Sequence, residues 1–124
     1  MESLFIEATK YTPEIKIDSK SSVVDICGKS YPENTFEFYK PVLEWVENFF
    51  KNPKENLTLN MEVIYFNSSS SKLFFDLFDI LDDHREKTQI VVKWIFDEEN
   101  ESALEAGEDF KDDFKNLNIQ LIQK

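Results

Sequence analysis

The stretch NLTLNMEVIYFNSSSSKLFFDLFDIL, residues 56 to 81, decides the fold because its hydrophobic period changes at a run of four serines. Residues 56–65 alternate apolar and polar side chains, which is typical of a β-strand. Residues 73–81 repeat apolar side chains at helical spacing. We therefore predict a strand, a serine turn and a helix in succession, with one serine as the helix N-cap.

The sequence before this stretch predicts three strands and a helix. Short segments with β-branched residues indicate strands at about residues 3–8, 13–18 and 22–27, and Gly28 is expected in a turn that requires positive φ. A broad apolar face then predicts a helix that Asn34 caps, with Glu37 at the capping-box position. Pro41 either kinks this helix or marks its first turn, and Pro53 ends it.

The sequence after this stretch continues the alternation. QIVVKWIFD is a largely apolar strand, as expected for one covered on both faces. DEENESALEAGEDFKDDF predicts an acidic helix, and NIQLIQK a last short strand. Strands that alternate with helices of this length predict a single domain, residues 1–124, with an α/β fold: an α/β sandwich whose mixed β-sheet packs against helices.

The charge balance limits the classes of partner. The chain has 124 residues and a formal net charge of −11. This charge repels phosphate backbones and anionic lipid, so we expect no nucleic acid and no membrane partner, and we favour a protein. The N-terminal residues lack a signal peptide pattern, no apolar run is long enough to span a bilayer, and Cys27 is the only cysteine. These features predict a cytoplasmic protein.

The four serines are the first candidate site. They follow a strand and open a helix, where unpaired backbone N–H groups and a partial positive charge stabilise a phosphate. Lys72 could pair with that phosphate, so the place suits a phosphorylation switch. The alternative is a capped loop without a regulatory role.

Catalysis and metal binding have little support in the sequence. A nucleophilic serine needs a nearby base, and the only histidine, His84, lies on a charged stretch of the following helix, where we expect it to be solvated. One cysteine and one histidine exclude the zinc patterns, and the acidic run lacks the order of a calcium loop. We therefore predict no enzymatic activity, no catalytic residue, no metal and no cofactor.

Three further features are candidates for contacts with a protein partner. Residues 97–113 carry nine acidic residues and one lysine, which either aid solubility or dock a basic patch. Phe75 points away from the core face of the helix and Phe78 lies at its margin, so either ring could anchor a partner or pack under a neighbouring helix. Tyr31 and Glu33 lie in the turn SYPEN that leads into the cap, and we include them as candidate contacts.

Several stretches, in order along nearly the whole chain, resemble the SiaC family of bacterial regulatory phosphoproteins: TPEIKID, GKSYPEN, EVIYFNSSSSK, KWIFDEENE and EAGEDF. The resemblance implies a STAS-like fold, similar to anti-sigma-factor antagonists. It implies phosphorylation by a partner Ser/Thr kinase that is itself like an anti-sigma-factor kinase, and dephosphorylation by a PP2C-type phosphatase. It also implies that the unphosphorylated form binds and activates a diguanylate cyclase, which links the switch to c-di-GMP signalling and biofilm regulation.

The same resemblance places the phosphoacceptor. The family carries it as the threonine directly after the asparagine of YFNTSSSK, and this position is Ser68 here, with Ser69 and Ser70 as less favoured alternatives. Asn67, Ser71 and Lys72 would form its surroundings. Three hypotheses follow: a phosphorylation switch, an acidic adaptor or anti-sigma-factor antagonist that acts without a cyclase, and a serine hydrolase, which the position of His84 disfavours.

Overall fold

The computed structural model describes residues 2–124, which form six strands and three helices. The strands are β1 Leu4–Ile6, β2 Glu14–Asp18, β3 Val23–Ser30, β4 Asn56–Phe66, β5 Gln89–Phe96 and β6 Asn118–Gln123. The helices are α1 Thr35–Lys51, α2 Ser68–Asp83 and α3 Glu101–Asp113. The predicted order of strands and helices is confirmed, and only the ends of the elements differ.

The six strands form one mixed sheet in the order β1-β2-β3-β4-β5-β6. The first three pair antiparallel, whereas β3 to β6 pair parallel. Each parallel pair is connected through one helix, and successive right-handed crossovers in one direction place all three helices on the same face. The protein is therefore an α/β sandwich of two layers, as the sequence predicts.

One face of the sheet forms the core with the helices. The inward side chains alternate along each strand, as Leu57, Leu59, Met61 and Val63 do in β4. The intervening residues of β5, such as Lys93 and Ile95, are only half-buried. The prediction that this strand is covered on both faces is therefore wrong, because its apolar residues partly line a face that no helix of residues 2–124 covers.

The first helix has the predicted cap. Asn34 accepts a hydrogen bond from the Glu37 backbone N–H at 3.2 Å, which satisfies one free donor of the first turn. The helix continues through Pro41, so the alternative that this proline marks its first turn is wrong. Seven side chains of α1 are buried: Thr35, Tyr39, Val42, Trp45, Val46, Phe49 and Phe50.

Gly28 has the predicted positive φ, 130°, but it lies within β3 and not in a turn. The register between β3 and β4 shifts directly after it, so that Gly28 pairs with Val63 and Lys29 with Tyr65. The unpaired Ile64 is an extra residue in β4, and it reverses the alternation beyond that point. This bulge turns Phe66 towards the core and leaves Tyr65 on the outer side, three residues before Ser68.

Candidate functional site

The serine run lies where the carboxyl ends of β3 and β4 meet the amino-terminal end of α2. Asn67 N–H donates to the carbonyl oxygen of Ser30 at 3.2 Å, which joins the two strand ends. In open α/β sheets, ligands usually bind outside the carboxyl ends of the strands. The bulge in β4 fixes which side chains of the edge face outwards.

Asn67 is the N-cap of α2, so the prediction that a serine caps this helix is wrong. Its side-chain oxygen accepts a hydrogen bond from Ser70 N–H at 2.9 Å and one from the Ser69 hydroxyl at 3.3 Å. All four serines are consequently helical, and α2 begins at Ser68. An amide is as good a cap as a hydroxyl, and it leaves the hydroxyls of the first turn available for other contacts.

The helical rotation of about 100° per residue separates the four hydroxyls. Ser68 and Ser69 are exposed, Ser70 is fully buried, and Ser71 is half-buried. The Ser69 hydroxyl is engaged with the cap, whereas no described side chain or backbone group bonds the Ser68 hydroxyl. The four serine hydroxyls therefore differ in exposure or in hydrogen bonding, and only that of Ser68 is both exposed and free of a described partner.

A chain of hydroxyl groups lies under the first turn of α2. Ser70 Oγ donates to the Ser30 carbonyl oxygen at 2.9 Å, and it lies 2.8 Å from Ser30 Oγ. Ser30 Oγ lies 2.6 Å from Tyr39 Oη. Because each hydroxyl has one proton, the only complete assignment has Tyr39 donating to Ser30 Oγ, and Ser30 Oγ donating to Ser70 Oγ.

Ser70 is therefore an anchor of the helix and not an accessible hydroxyl. A kinase cannot reach it while the helix is formed, which corrects the prediction that Ser70 is an alternative acceptor. Burial raises the pKa of the Tyr39 phenol above its ordinary range, although its hydrogen bond with Ser30 acts in the opposite direction. The phenol thus stays neutral, and the hydroxyl chain carries no charge under the acceptor.

An open groove of about 430 Å³ lies beside Ser68, between α2 and α3. We call it the serine groove, and its lining residues are Ser68, Ser71, Lys72, Phe75, Ala106, Asp109, Phe110 and Asp113. Lys72 is four residues after Ser68, one helical turn away, which is the spacing at which opposite charges on a helix attract each other. Two carboxylates of α3 face the same groove, so its charge is mixed.

The two candidate phenylalanines of α2 have different positions. Phe75 is 42% exposed, lines the serine groove and lies against Phe114, with ring centroids 4.8 Å apart. Phe78 is fully buried and packs edge-on against Phe110 at 5.0 Å. The prediction that Phe78 contacts a partner is therefore wrong, because α3 covers this ring.

Tyr31 belongs to a cluster of three tyrosine rings that the sequence does not predict. Its ring lies 5.2 Å from that of Tyr11 and 5.3 Å from that of Tyr65, both in edge-to-face geometry. We call these three residues the tyrosine ladder. Tyr11 and Tyr65 are more than half exposed, whereas Tyr31 is half-buried between them and Glu33 is exposed nearby. Only strand pairing brings these distant residues together, so no local pattern indicates them.

The histidine and the acidic residues form no catalytic or metal site within residues 2–124. His84 caps the carboxyl end of α2, where its ring stacks on Phe50 at 4.2 Å and its Nδ1 bonds the Ile80 carbonyl at 2.8 Å. It is thus half-buried and structural, and not solvated as predicted. No group of three potential metal ligands occurs among these residues, and none of their helices is long and apolar enough to cross a membrane.

Comparisons with known proteins agree on one family. A family model described as "SiaC family regulatory phosphoprotein" matches residues 6–124. An uncharacterized protein of Pseudomonas aeruginosa strain UCBPP-PA14 is 34% identical over 114 residues, which are 91% of this chain and 90% of that protein.

Solved structures show the same fold. SiaC of Pseudomonas aeruginosa superposes with a TM-score of 0.91 at 30% identity, and the match covers 100% of both chains. A chain in the crystal structure of the diguanylate cyclase SiaD with its activator SiaC, from the same species, has a TM-score of 0.91 at 31% identity over 98% of this chain and 99% of that one. Apo-SiaC matches with a TM-score of 0.88 at 28% identity, with the same coverage.

Proposed function

The chain belongs to the SiaC family of regulatory phosphoproteins and is a regulatory protein rather than an enzyme, and we propose that phosphorylation of Ser68 switches its binding to a partner. A partner Ser/Thr kinase adds the phosphate and a PP2C-type phosphatase removes it. The unphosphorylated form binds and activates a diguanylate cyclase. The solved complex of SiaD with its activator SiaC supports this choice of partner.

The exposure of Ser68 is the observation that carries the proposal. Of the four serines, it is the first residue of α2, it faces solvent, and its hydroxyl has no hydrogen-bond partner among the described residues. A kinase can therefore take this hydroxyl without unfolding the helix. Ser69 is also exposed, but its hydroxyl donates to the cap oxygen of Asn67, and phosphorylation would break that bond.

The surroundings of Ser68 favour a stable phosphorylated state. A phosphate adds about −1.5 to −2 charges at pH 7, and at the first residue of a helix it meets unpaired N–H groups and the positive end of the dipole. Lys72 lies one turn further on the same side of the helix. Asp109 and Asp113 line the far wall of the serine groove and oppose the new charge. The phosphate is thus held at the helix end and directed away from α3.

Phe75 gives the serine groove an apolar wall beside the acceptor. We propose that the kinase inserts a side chain here while it holds Ser68. In this proposal Phe75 remains a partner contact, as predicted from the sequence, and the partner that it contacts is the kinase that phosphorylates Ser68. Phe75→Ser should slow phosphorylation of Ser68 without changing the stability of the protein much, because the ring is almost half exposed.

The test combines phosphate mapping with a binding assay. The protein is incubated with ATP and a purified Ser/Thr kinase of the anti-sigma-factor type from the same organism, and mass spectrometry locates the phosphate in wild type, Ser68→Ala and Ser69→Ala. We expect phosphate in wild type and in Ser69→Ala, and none in Ser68→Ala. Binding to the diguanylate cyclase of the same organism should be lost in Ser68→Asp and kept in Ser68→Ala. Phosphate that persists in Ser68→Ala, or tight binding by the phosphorylated form, contradicts the proposal.

A second candidate function is that of an acidic adaptor that acts without modification. The observation in its favour is that α3 presents six exposed carboxylates. They are Glu101, Glu105, Glu108, Asp109, Asp112 and Asp113. An adaptor of this kind binds a basic surface, so its affinity falls steeply with salt and does not respond to changes at Ser68. The Ser68→Asp measurement, repeated at low and high salt, separates the two candidates.

A further inference from the structure

The tyrosine ladder is a largely apolar surface at the same edge of the sheet as Ser68. The backbone bond between Asn67 and Ser30 joins the ends of β4 and β3, so the residues that follow, Ser68 and Tyr31, leave the sheet at the same edge. A second backbone bond, from Tyr31 N–H to the Tyr11 carbonyl oxygen at 2.8 Å, fixes the outer end of the ladder. Three aromatic rings in edge-to-face contact form a largely apolar surface, which is the type that dominates protein interfaces.

A second groove continues this surface along the edge of the sheet. We call it the acidic groove; it has a volume of about 420 Å³, and its lining residues are Glu62, Val63, Ile64, Ile95, Phe96, Asp97, Glu99, Asn100 and Lys124. Ile64 is the bulge residue directly before Tyr65 of the ladder, and it is 54% exposed. Asn100 donates to its carbonyl oxygen at 2.9 Å, which holds the bulge in place.

The acidic groove has excess negative charge. Lys124 pairs with Glu62 at 2.6 Å, and the other ion pair of residues 2–124 joins Arg85 to Asp82. Asp97 and Glu99 therefore have no cationic partner in the described part of the chain. A groove with apolar walls and two uncompensated carboxylates is complementary to a lysine or arginine side chain, whose stem is apolar and whose end is positive.

We propose that the tyrosine ladder and the acidic groove together bind one segment of the regulated partner protein. This segment places apolar side chains on the ladder and a lysine or arginine in the acidic groove. The inference rests on the proposed function and adds the chemistry of the partner to it. A second copy of this chain is the poorer occupant, because it offers a net charge of −11 and not the positive charge that the acidic groove requires.

This placement explains how a phosphate could prevent binding. The apolar segment on the ladder would cover the space next to Ser68, so a phosphate there would lose its water when the partner binds. An uncompensated charge buried at an interface has a large desolvation cost, which a single exposed lysine, Lys72, offsets only in part. The unmodified serine is small and neutral, and the segment can cover it.

The test measures binding of the diguanylate cyclase from the same organism to wild type and to matched variants. Tyr65→Ser should weaken binding at least tenfold, whereas Phe5→Ser should change it less than twofold. Both rings are more than half exposed, at 56% and 61%, but Phe5 lies on the outermost strand β1. The double variant Asp97→Asn/Glu99→Gln keeps the Asp97 side-chain acceptor for Glu99 N–H and should weaken binding severalfold, with a shallower dependence on salt.

The outcomes separate the two proposals. If wild type fails to bind the cyclase at low salt, the proposed function fails. If wild type binds and Tyr65→Ser binds equally well, the proposed function stands and the ladder is not the interface. The same conclusion follows if Phe75→Ser removes binding and Tyr65→Ser does not, or if sedimentation shows a dimer of this chain that only Tyr65→Ser dissociates.

Discussion

The hydroxyl chain under the serine run allows a sharp prediction, because its three members should not contribute equally to stability. Tyr39 and Ser30 are both fully buried, and Tyr39 has one partner while Ser30 Oγ has two. In Tyr39→Phe, the Ser30 hydroxyl still donates to Ser70. This variant therefore loses one hydrogen bond and leaves no buried donor unpaired, at a cost of about 1 kcal/mol in free energy of unfolding.

Ser30→Ala should cost more although it removes a smaller group. It deletes both bonds of Ser30 Oγ and leaves the Tyr39 hydroxyl in the core without a partner. A buried unsatisfied hydroxyl costs roughly 1–3 kcal/mol, so the total loss is about 2–4 kcal/mol. Ser70 keeps its bond to the Ser30 backbone carbonyl in this variant, so α2 still begins at Ser68.

The double variant Tyr39→Phe/Ser30→Ala tests the reasoning directly. Removing the phenol hydroxyl as well removes the unsatisfied group, so the double variant should be no less stable than Ser30→Ala alone and clearly more stable than additivity predicts. Urea unfolding followed by circular dichroism measures all three variants. Tyr65→Phe is the control, since its ring is more than half exposed, and we expect a change below about 0.5 kcal/mol. Additive losses, or a larger loss for Tyr39→Phe than for Ser30→Ala, would refute this assignment of the hydroxyl protons.

Two further predictions concern other parts of the molecule. Gly107→Ala in α3 should destabilise the protein by about 1–3 kcal/mol in thermal or urea unfolding, because the added Cβ would lie 2.5 Å from Trp94 Cδ1 and 2.8 Å from Leu121 Cδ2. In most helix interiors the same substitution raises stability. An unchanged or raised stability would contradict the described packing. Cys27 is exposed, but its thiol is partly buried and lies near the carboxylates of Glu62 and Glu14, and both effects raise its pKa. Iodoacetamide should therefore alkylate Cys27 at pH 8 more slowly in the folded protein than in the same protein unfolded in urea. Equal rates in the folded and unfolded protein would show that the thiol is not perturbed.

The sequence predicts those features that depend on local pattern. The change of period around the serines predicts β4 and α2, and Asn34 predicts the start of α1, because strand alternation, helical spacing and caps involve residues close in the chain. Two errors arise from packing between distant elements. Phe78 is at the margin of the apolar face of its own helix, but Phe110 of α3 covers it. The apolar residues of β5 predict cover on both faces, although Ile95 is only half-buried.

The residues of the candidate site also include some that a local sequence pattern predicts and others that depend on contacts between distant segments. Ser68 is the proposed acceptor because the family resemblance places it directly after Asn67, and that motif is a local stretch of sequence. The tyrosine ladder joins residues 11, 31 and 65, whose approach depends on the pairing of strands and on one extra residue in β4. A bulge of one residue reverses the side of every residue that follows it, so strict alternation predicts that Tyr65 points inwards, along the row of Met61 and Val63.

The position of the bulge decides which aromatic ring lies on the surface at the edge where Ser68 is exposed. Without the extra residue Ile64, alternation would turn Tyr65 to the core and Phe66 to the outside, and the ladder would lose its inner ring. With it, Phe66 packs at 5.7 Å from Phe74 of α2 and fixes the helix, while Tyr65 lies on the surface that a partner can contact. The same backbone irregularity thus packs Phe66 against α2 and places Tyr65 on the surface, at the edge of the sheet where Ser68 is exposed. In the proposed switch, a phosphate on Ser68 would therefore act on the adjacent surface and would need no change in the fold.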